Sequence, residues 1–223
     1  MVKTIDPTDD PTNLGTADLD IGESKPIAQD ATRLGGYAYQ IIRQQSQAVF
    51  TLRSPVLDDT DIENLHQMRI GTRRLRSALL LFADVVKADA SKAGSSDTGS
   101  SSSLETLTEP VKQLTKALGK VRDVDVMQQW LADAIAAPSK KEKKTIKALL
   151  KKLKKRRKKQ FSKLEKALTS KAYKKLKKRC KRWLKQPSFG PAAQQSAASS
   201  AVETLITPLV ELLQHPGWKV ATS

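Results

Sequence analysis

Apolar residues recur at helical spacing along most of this chain, and no stretch alternates apolar and polar residues at the two-residue period of a strand. The expected fold is therefore all-α. A first helix is expected at about 30–53, "DATRLGGYAYQIIRQQSQAVFTLR", with Asp30 as N-cap and Pro55 just past its end. Asp59, Thr60 or Asp61 caps a second helix that runs to about Asp89. The low-complexity stretch 91–103, "SKAGSSDTGSSSS", reads as a disordered Ser/Gly loop. A long third helix follows from about 104 to 136 and stops near Pro138. Ser139 caps a fourth helix that extends to about 169, and a shorter one spans about 171–185. The last, about 192–214, is expected to kink at Pro208 and to end at "HPGW". Residues 1–29 are mildly acidic and broken by Pro and Gly, so they read as a disordered tail.

The second helix holds the most informative pattern, "ENLHQMRIGTRRLRSALLLF", from Glu63 to Phe82. Leu65, Met68, Thr72, Leu75, Leu79 and Phe82 follow 3-4-3-4-3 spacing and share one face, which is the expected core stripe. At about 100° per residue, and with His66 at zero, Arg73 lies near −20°, Arg69 near −60° and Arg76 near −80°. The apolar sector begins at Leu65, near −100°. One histidine and three arginines thus form a second stripe along the margin of the first, while Arg74 points elsewhere. Like charges at these spacings repel by some tenths of a kcal/mol per pair. Asp123 and Asp125, in "LGKVRDVDVM", cannot neutralise them together with Arg122. The excess suits an external anion, and the planar guanidinium fork can hold two phosphate oxygens at any relevant pH. His66 adds a donor whose charge depends on pH and ligand.

Charge enlarges this picture. The chain has a formal net charge of +17. Residues 140–185 hold 24 of its 40 Lys and Arg against Glu142 and Glu165 alone. That segment is +22, which leaves −5 for the remaining residues. Such a concentrated field implies a polyanionic partner. In the fourth helix Ile146, Leu150, Leu153, Arg157, Gln160, Leu164 and Leu168 share a stripe, so Arg157 occupies a slot expected to be apolar. It is expected to face Arg69 and Arg73 across the bundle, with Lys154 and Lys158 carrying the potential outward.

Other chemistries find less support. No P-loop or Gly-rich phosphate cradle occurs, and two carboxylates make a weak metal site, so no catalysis, metal or cofactor is expected. Cys180 is the single cysteine, which excludes an internal disulfide and fits a reducing cytoplasm; it reads as a bland structural thiol. No apolar run of about 18 residues, export signal or transit pattern is visible, so no membrane role is expected. Non-specific nucleic-acid binding is the alternative. The basic helix has little aromatic interleaving for base stacking, and Tyr173 and Trp183 in the next helix read as core residues.

"LHQMRIGTRRLRSALLLF", followed some forty residues later by "LGKVRDVDVM", resembles the CHAD family, the conserved histidine α-helical domains. The resemblance covers about residues 30–218 and includes the "HPGW" turn. It implies an antiparallel bundle of long helices that binds inorganic polyphosphate and is recruited to polyphosphate granules. It also implies a second bundle with its own His/Arg-rich helix. No second such pattern occurs, so the expectation is one bundle plus the start of another over 30–223, truncated at its C-terminus. Weakened binding, self-association or a partner chain that completes the bundle would follow. The motifs carry the family's roles to His66, Arg69, Arg73, Arg74, Arg76, Arg122, Asp123 and Asp125. The full candidate set for polyphosphate is His66, Arg69, Arg73, Arg74, Arg76, Lys112, Arg122, Lys154, Arg157 and Lys158, with Asp123 and Asp125 as supporting salt-bridge partners.

Overall fold

A computed structural model describes residues 30–86, 105–133 and 140–214. Among them every regular element is helical. These are α1 (Leu34–Thr51), α2 (Arg53–Asp58), α3 (Ile62–Leu81), α4 (Glu105–Asp133), α5 (Lys140–Thr169), α6 (Lys171–Lys185), α7 (Ala197–Ala201) and α8 (Thr207–Leu213). A 3-10 turn at Pro191–Gln194 precedes α7, and a π turn at Val202–Ile206 joins α7 to α8. The tail at 1–29, the loop at 91–103, the Ser139 cap and the "HPGW" turn lie outside the described residues.

Each boundary has a local cause. Asp61, of the three cap candidates, starts α3: its carboxylate accepts from the Glu63 N–H at 2.8 Å. Asp59 closes α2 in the left-handed region, at φ 49°. Asp30 does not cap α1, whose N-cap is Arg33; it accepts instead from the Thr32 N–H at 3.0 Å. The Thr32 hydroxyl, which also donates to this carboxylate, and then the N–H bond hold the Asp30 carboxyl below its ordinary pKa. Nor does α3 reach Asp89. It ends at Leu81, and Phe82–Val86 turn inward, where Val85 and Val86 are buried and the Gly190 N–H donates to the Val85 carbonyl. Pro208 cannot donate a backbone hydrogen bond, and the helix accommodates it with the π turn just before it, where the Thr207 N–H reaches back to the Val202 carbonyl.

The expected stripe of α3 is buried throughout, from Leu65 to Phe82. Within it the Thr72 hydroxyl donates to the Met68 carbonyl at 2.6 Å, so no polar atom there is left unsatisfied. The stripe packs between α1 and α4. A Cβ on Gly71 would stand 3.4 Å from Val49 of α1, and Tyr37 meets Phe82 edge to face at 6.1 Å. These two contacts put α1 antiparallel to α3. Tyr173 and Trp183 of α6 are core residues, Trp183 stacking at 5.9 Å on Tyr39, and Cys180 is buried against the Ser46 hydroxyl at 3.1 Å. In α5 only Leu164 and Leu168 of the expected stripe are fully buried. Its N-terminal half projects with the end of α4, where Val126, Met127 and Trp130 are exposed.

Candidate polyanion groove

Two observations orient α3 against α4. Arg157 joins Asp59, just before α3, to Asp125 of α4. Near the other end, the charge of Arg76 is one of the causes that lower the Glu109 pKa, after hydrogen bonds from Lys112 and Gln113. The helices therefore run antiparallel. Extrapolated along both helices, this direction brings Gly119 of α4 roughly level with His66, Thr115 with Arg69, and Lys112 with Arg73. On α4 the buried residues Leu107, Val111, Leu114, Leu118 and Val121 form the core stripe. Beside it Thr108, Lys112, Thr115, Gly119 and Arg122 follow 4-3-4-3 spacing, which makes a second stripe on the flank turned toward α3. Two polar margins thus face one another across the α3–α4 interface.

His66, Arg69 and Arg76 are half-buried on this margin, and Arg73 is exposed at its rim. Among the described residues none of the four makes an ion pair or hydrogen bond, and His66 Nδ1 and Arg76 Nε are buried without any partner. Buried donors without acceptors are uncommon, because desolvating one costs on the order of 1–3 kcal/mol. Arg122 is half-buried on the facing margin and likewise unpaired among the described residues. Gly119 adds a steric fact. It is half-buried in mid-helix, yet a Cβ there would meet nothing within 4 Å. Alanine would favour this helix by about 1 kcal/mol, so packing within the protein does not account for the glycine. Open space beside a row of unpaired cations is what a chain of tetrahedral anions requires.

Not every expected ligand lies on this margin. Arg157 does not face Arg69 and Arg73. Its Nη1 and Nη2 donate to both Asp59 carboxylate oxygens at 2.6 Å, and its Nε donates to Asp125 Oδ1 at 2.6 Å. The guanidinium also lies 5.5 Å over the Phe161 ring. The Asp59 bonds, first, and those to Asp125 raise its pKa above the ordinary arginine value, against the opposing effect of burial. It is a saturated cross-link whose charge is already matched, and at about 1.5 Å per residue it stands some 15 Å from the level of Arg69. Asp125 is buried and does form a salt bridge, but with α5 rather than with the arginines of α3. Asp123 is exposed and pairs with no cation among the described residues. Arg74 is exposed on the far flank of α3, and Lys154 and Lys158 are exposed on α5, away from the α3–α4 margin. Lys112 is exposed at the rim and bonded to Glu109 at 3.1 Å.

The sequence named Lys112 and Arg122 but not the stripe they share, although the 4-3-4-3 recurrence of Thr108, Lys112, Thr115, Gly119 and Arg122 carried the signal. It also missed Asp59 as a partner for Arg157, for which the two residues' distance along the chain left none.

Comparison with known proteins agrees with this fold. A family model described as "CHAD domain" matches residues 40–221. A crystal structure of the CHAD domain from the plant Ricinus communis is similar, with TM-score 0.58 and 25% sequence identity. The match covers 82% of this chain and 55% of that one, so this chain spans little more than half the length of its structural relative. No curated protein sequence matches.

Proposed function

This chain belongs to the CHAD domain family, and from that premise we propose that it binds inorganic polyphosphate in the α3–α4 groove without catalysing its turnover. The observation that carries this reading is the row His66, Arg69, Arg73 and Arg76, whose side chains form no ion pair or hydrogen bond among the described residues. The geometry supports a multivalent anion; the family membership is what narrows that anion to polyphosphate. Arg122 and Lys112 supply the opposite wall, and Gly119 leaves room at its floor. Recruitment to polyphosphate granules would follow from the same affinity. No described helix is long and apolar enough to cross a membrane.

The test is polyphosphate affinity at several salt concentrations for wild type, Arg69→Ala/Arg73→Ala and the outward pair Lys174→Ala/Lys175→Ala. Two lost phosphate contacts should lower the slope of log affinity against log salt by about 1.4 in the arginine variant, using the single-strand value of about 0.7 per contact. Its affinity should fall at least tenfold at low salt, roughly 1.4 kcal/mol, as expected for charge-assisted bonds. Equal losses in the two variants would reduce the groove to a generic basic surface. Competition with DNA and RNA at one fixed salt concentration separates this reading from nucleic-acid binding.

A further inference from the structure

We infer that the groove continues over the crest of α4 onto the outer flank of α5, forming a second anion surface that only a long polyphosphate chain reaches. This rests on the proposed function, because it concerns what happens to a chain once the groove has engaged one end. The Arg157–Asp125 bond, with only six residues between the end of α4 and the start of α5, sets these helices antiparallel and places Lys163 roughly level with Gly119 and Lys120, and Lys159 with Asp123. Lys116 and Lys120 of α4 are exposed, about 160° from the buried Leu118, so they stand on the crest opposite the core. Arg156, Lys159 and Lys163 of α5 are exposed and cluster on one flank, about 80–140° from the buried Leu164. For right-handed helices in this antiparallel order, that flank and the crest share one outer surface with the groove.

Length explains why the extension matters. From His66 to Arg76 the groove covers about 15 Å at 1.5 Å per residue, whereas α5 alone runs for about 45 Å. A short chain fills the groove and stops there. A longer one leaves the groove across Lys116 and Lys120 and meets a band of like sign, with the exposed Asp123 the acidic residue in its path. The second contact is then intramolecular, and its effective concentration raises the overall affinity without any change in the groove.

The experiment measures affinity and salt dependence for a short polyphosphate that fits the groove and a chain several times longer. It compares wild type, the band variant Lys116→Gln/Lys120→Gln/Arg156→Gln/Lys159→Gln/Lys163→Gln, and Arg69→Ala/Arg73→Ala, with helical content checked by circular dichroism. All five band residues are exposed, so folding should be retained. The band variant is expected to bind the short chain within twofold of wild type and the long chain at least tenfold more weakly. Its long-chain salt slope should drop by about 3.5, from five contacts at about 0.7 each. Unchanged long-chain affinity, or equal losses for both lengths, overturns the inference. Should wild type bind neither length, the proposed function itself fails, which is a different result from either. A long DNA strand that gains from the band as much as long polyphosphate does would overturn the assignment of the band to polyphosphate.

Discussion

Replacing Arg157 with methionine removes the one guanidinium that two carboxylates from separate elements share. Asp125 suffers most. Its side chain is 1% exposed, its Oδ2 has no hydrogen-bond partner among the described residues, and Oδ1 would lose the Arg157 Nε at 2.6 Å. A buried charge stripped of its partner typically costs about 3–5 kcal/mol. Asp59, whose side chain is 30% exposed, can turn to water and adds little. Methionine keeps much of the volume against Phe161, so the loss should be electrostatic rather than a cavity effect. A destabilisation of about 3–4 kcal/mol is expected. At a denaturant slope of about 2 kcal/mol per M, the urea midpoint should fall by about 1.5–2 M.

The companion variants make the reasoning refutable. Asp125→Leu alone should also destabilise, because it leaves Arg157 half-paired. The double variant Arg157→Met/Asp125→Leu should recover most of the loss, since apolar replacement of both members of a buried pair is often neutral. Polyphosphate binding, measured below the unfolding transition, should stay within about threefold of wild type, as the groove arginines are untouched. If Arg157→Met left the urea midpoint within about 0.3 M of wild type while weakening binding as much as Arg69→Ala/Arg73→Ala, Arg157 would be a ligand and the register drawn from its bonds would be wrong.

Two further outcomes are expected. Burial pushes the Cys180 thiol from 9.0 up to about 11, so in that window the unfolded chain has released a proton that the folded one retains, and stability falls as pH rises. The fall should total up to about 2.7 kcal/mol at 1.36 kcal/mol per unit, and urea melts at pH 8 and 11 should show it in wild type but not in Cys180→Ala, beyond what Tyr173 contributes to both; identical pH dependence of the two proteins would disprove it. The second concerns Val202, Ile206, Leu209, Val210 and Leu213, which are exposed along the C-terminal segment, an apolar face of the kind that associates. Sedimentation velocity should show concentration-dependent self-association that Leu209→Glu/Leu213→Glu abolishes, and a wild-type monomer at all concentrations would rule this out.

The core of α3 was readable because burial there follows from periodicity alone: six residues at 3-4 spacing need one covered face whatever covers it. Helix ends were less readable, since they depend on what lies beyond. Asp30 looked like a cap, yet the chain is held at that point by segment 194–197, where the Leu34 N–H donates to the Gln195 carbonyl and the Ala197 N–H to the Thr32 carbonyl. The same limit applies to Arg157. Its angle on α5 correctly placed it inward, but angle says nothing about what the opposing helix offers. The answer was a pair of carboxylates, one of them 98 residues away in a two-helix turn.

Comparing the arginines with one another shows what sets the α3 margin apart. Arg157, Arg69 and Arg76 are all partly buried, Arg157 within the apolar stripe of its helix and the other two at the margin of theirs. Around Arg157 the fold places two carboxylates at hydrogen-bond distance and an aromatic ring, so its charge is satisfied whether or not anything else binds. Along the row from His66 to Arg76 it places cations without an ion pair, an unpartnered histidine nitrogen and, level with that histidine, a glycine with open space beside it. A carboxylate on the α4 margin, at Thr115 for instance, would relieve that repulsion at the loss of one hydroxyl bond to the Val111 carbonyl. Leaving it out weakens the free protein and strengthens the protein bound to a polyanion. Only the second state gains from the arrangement.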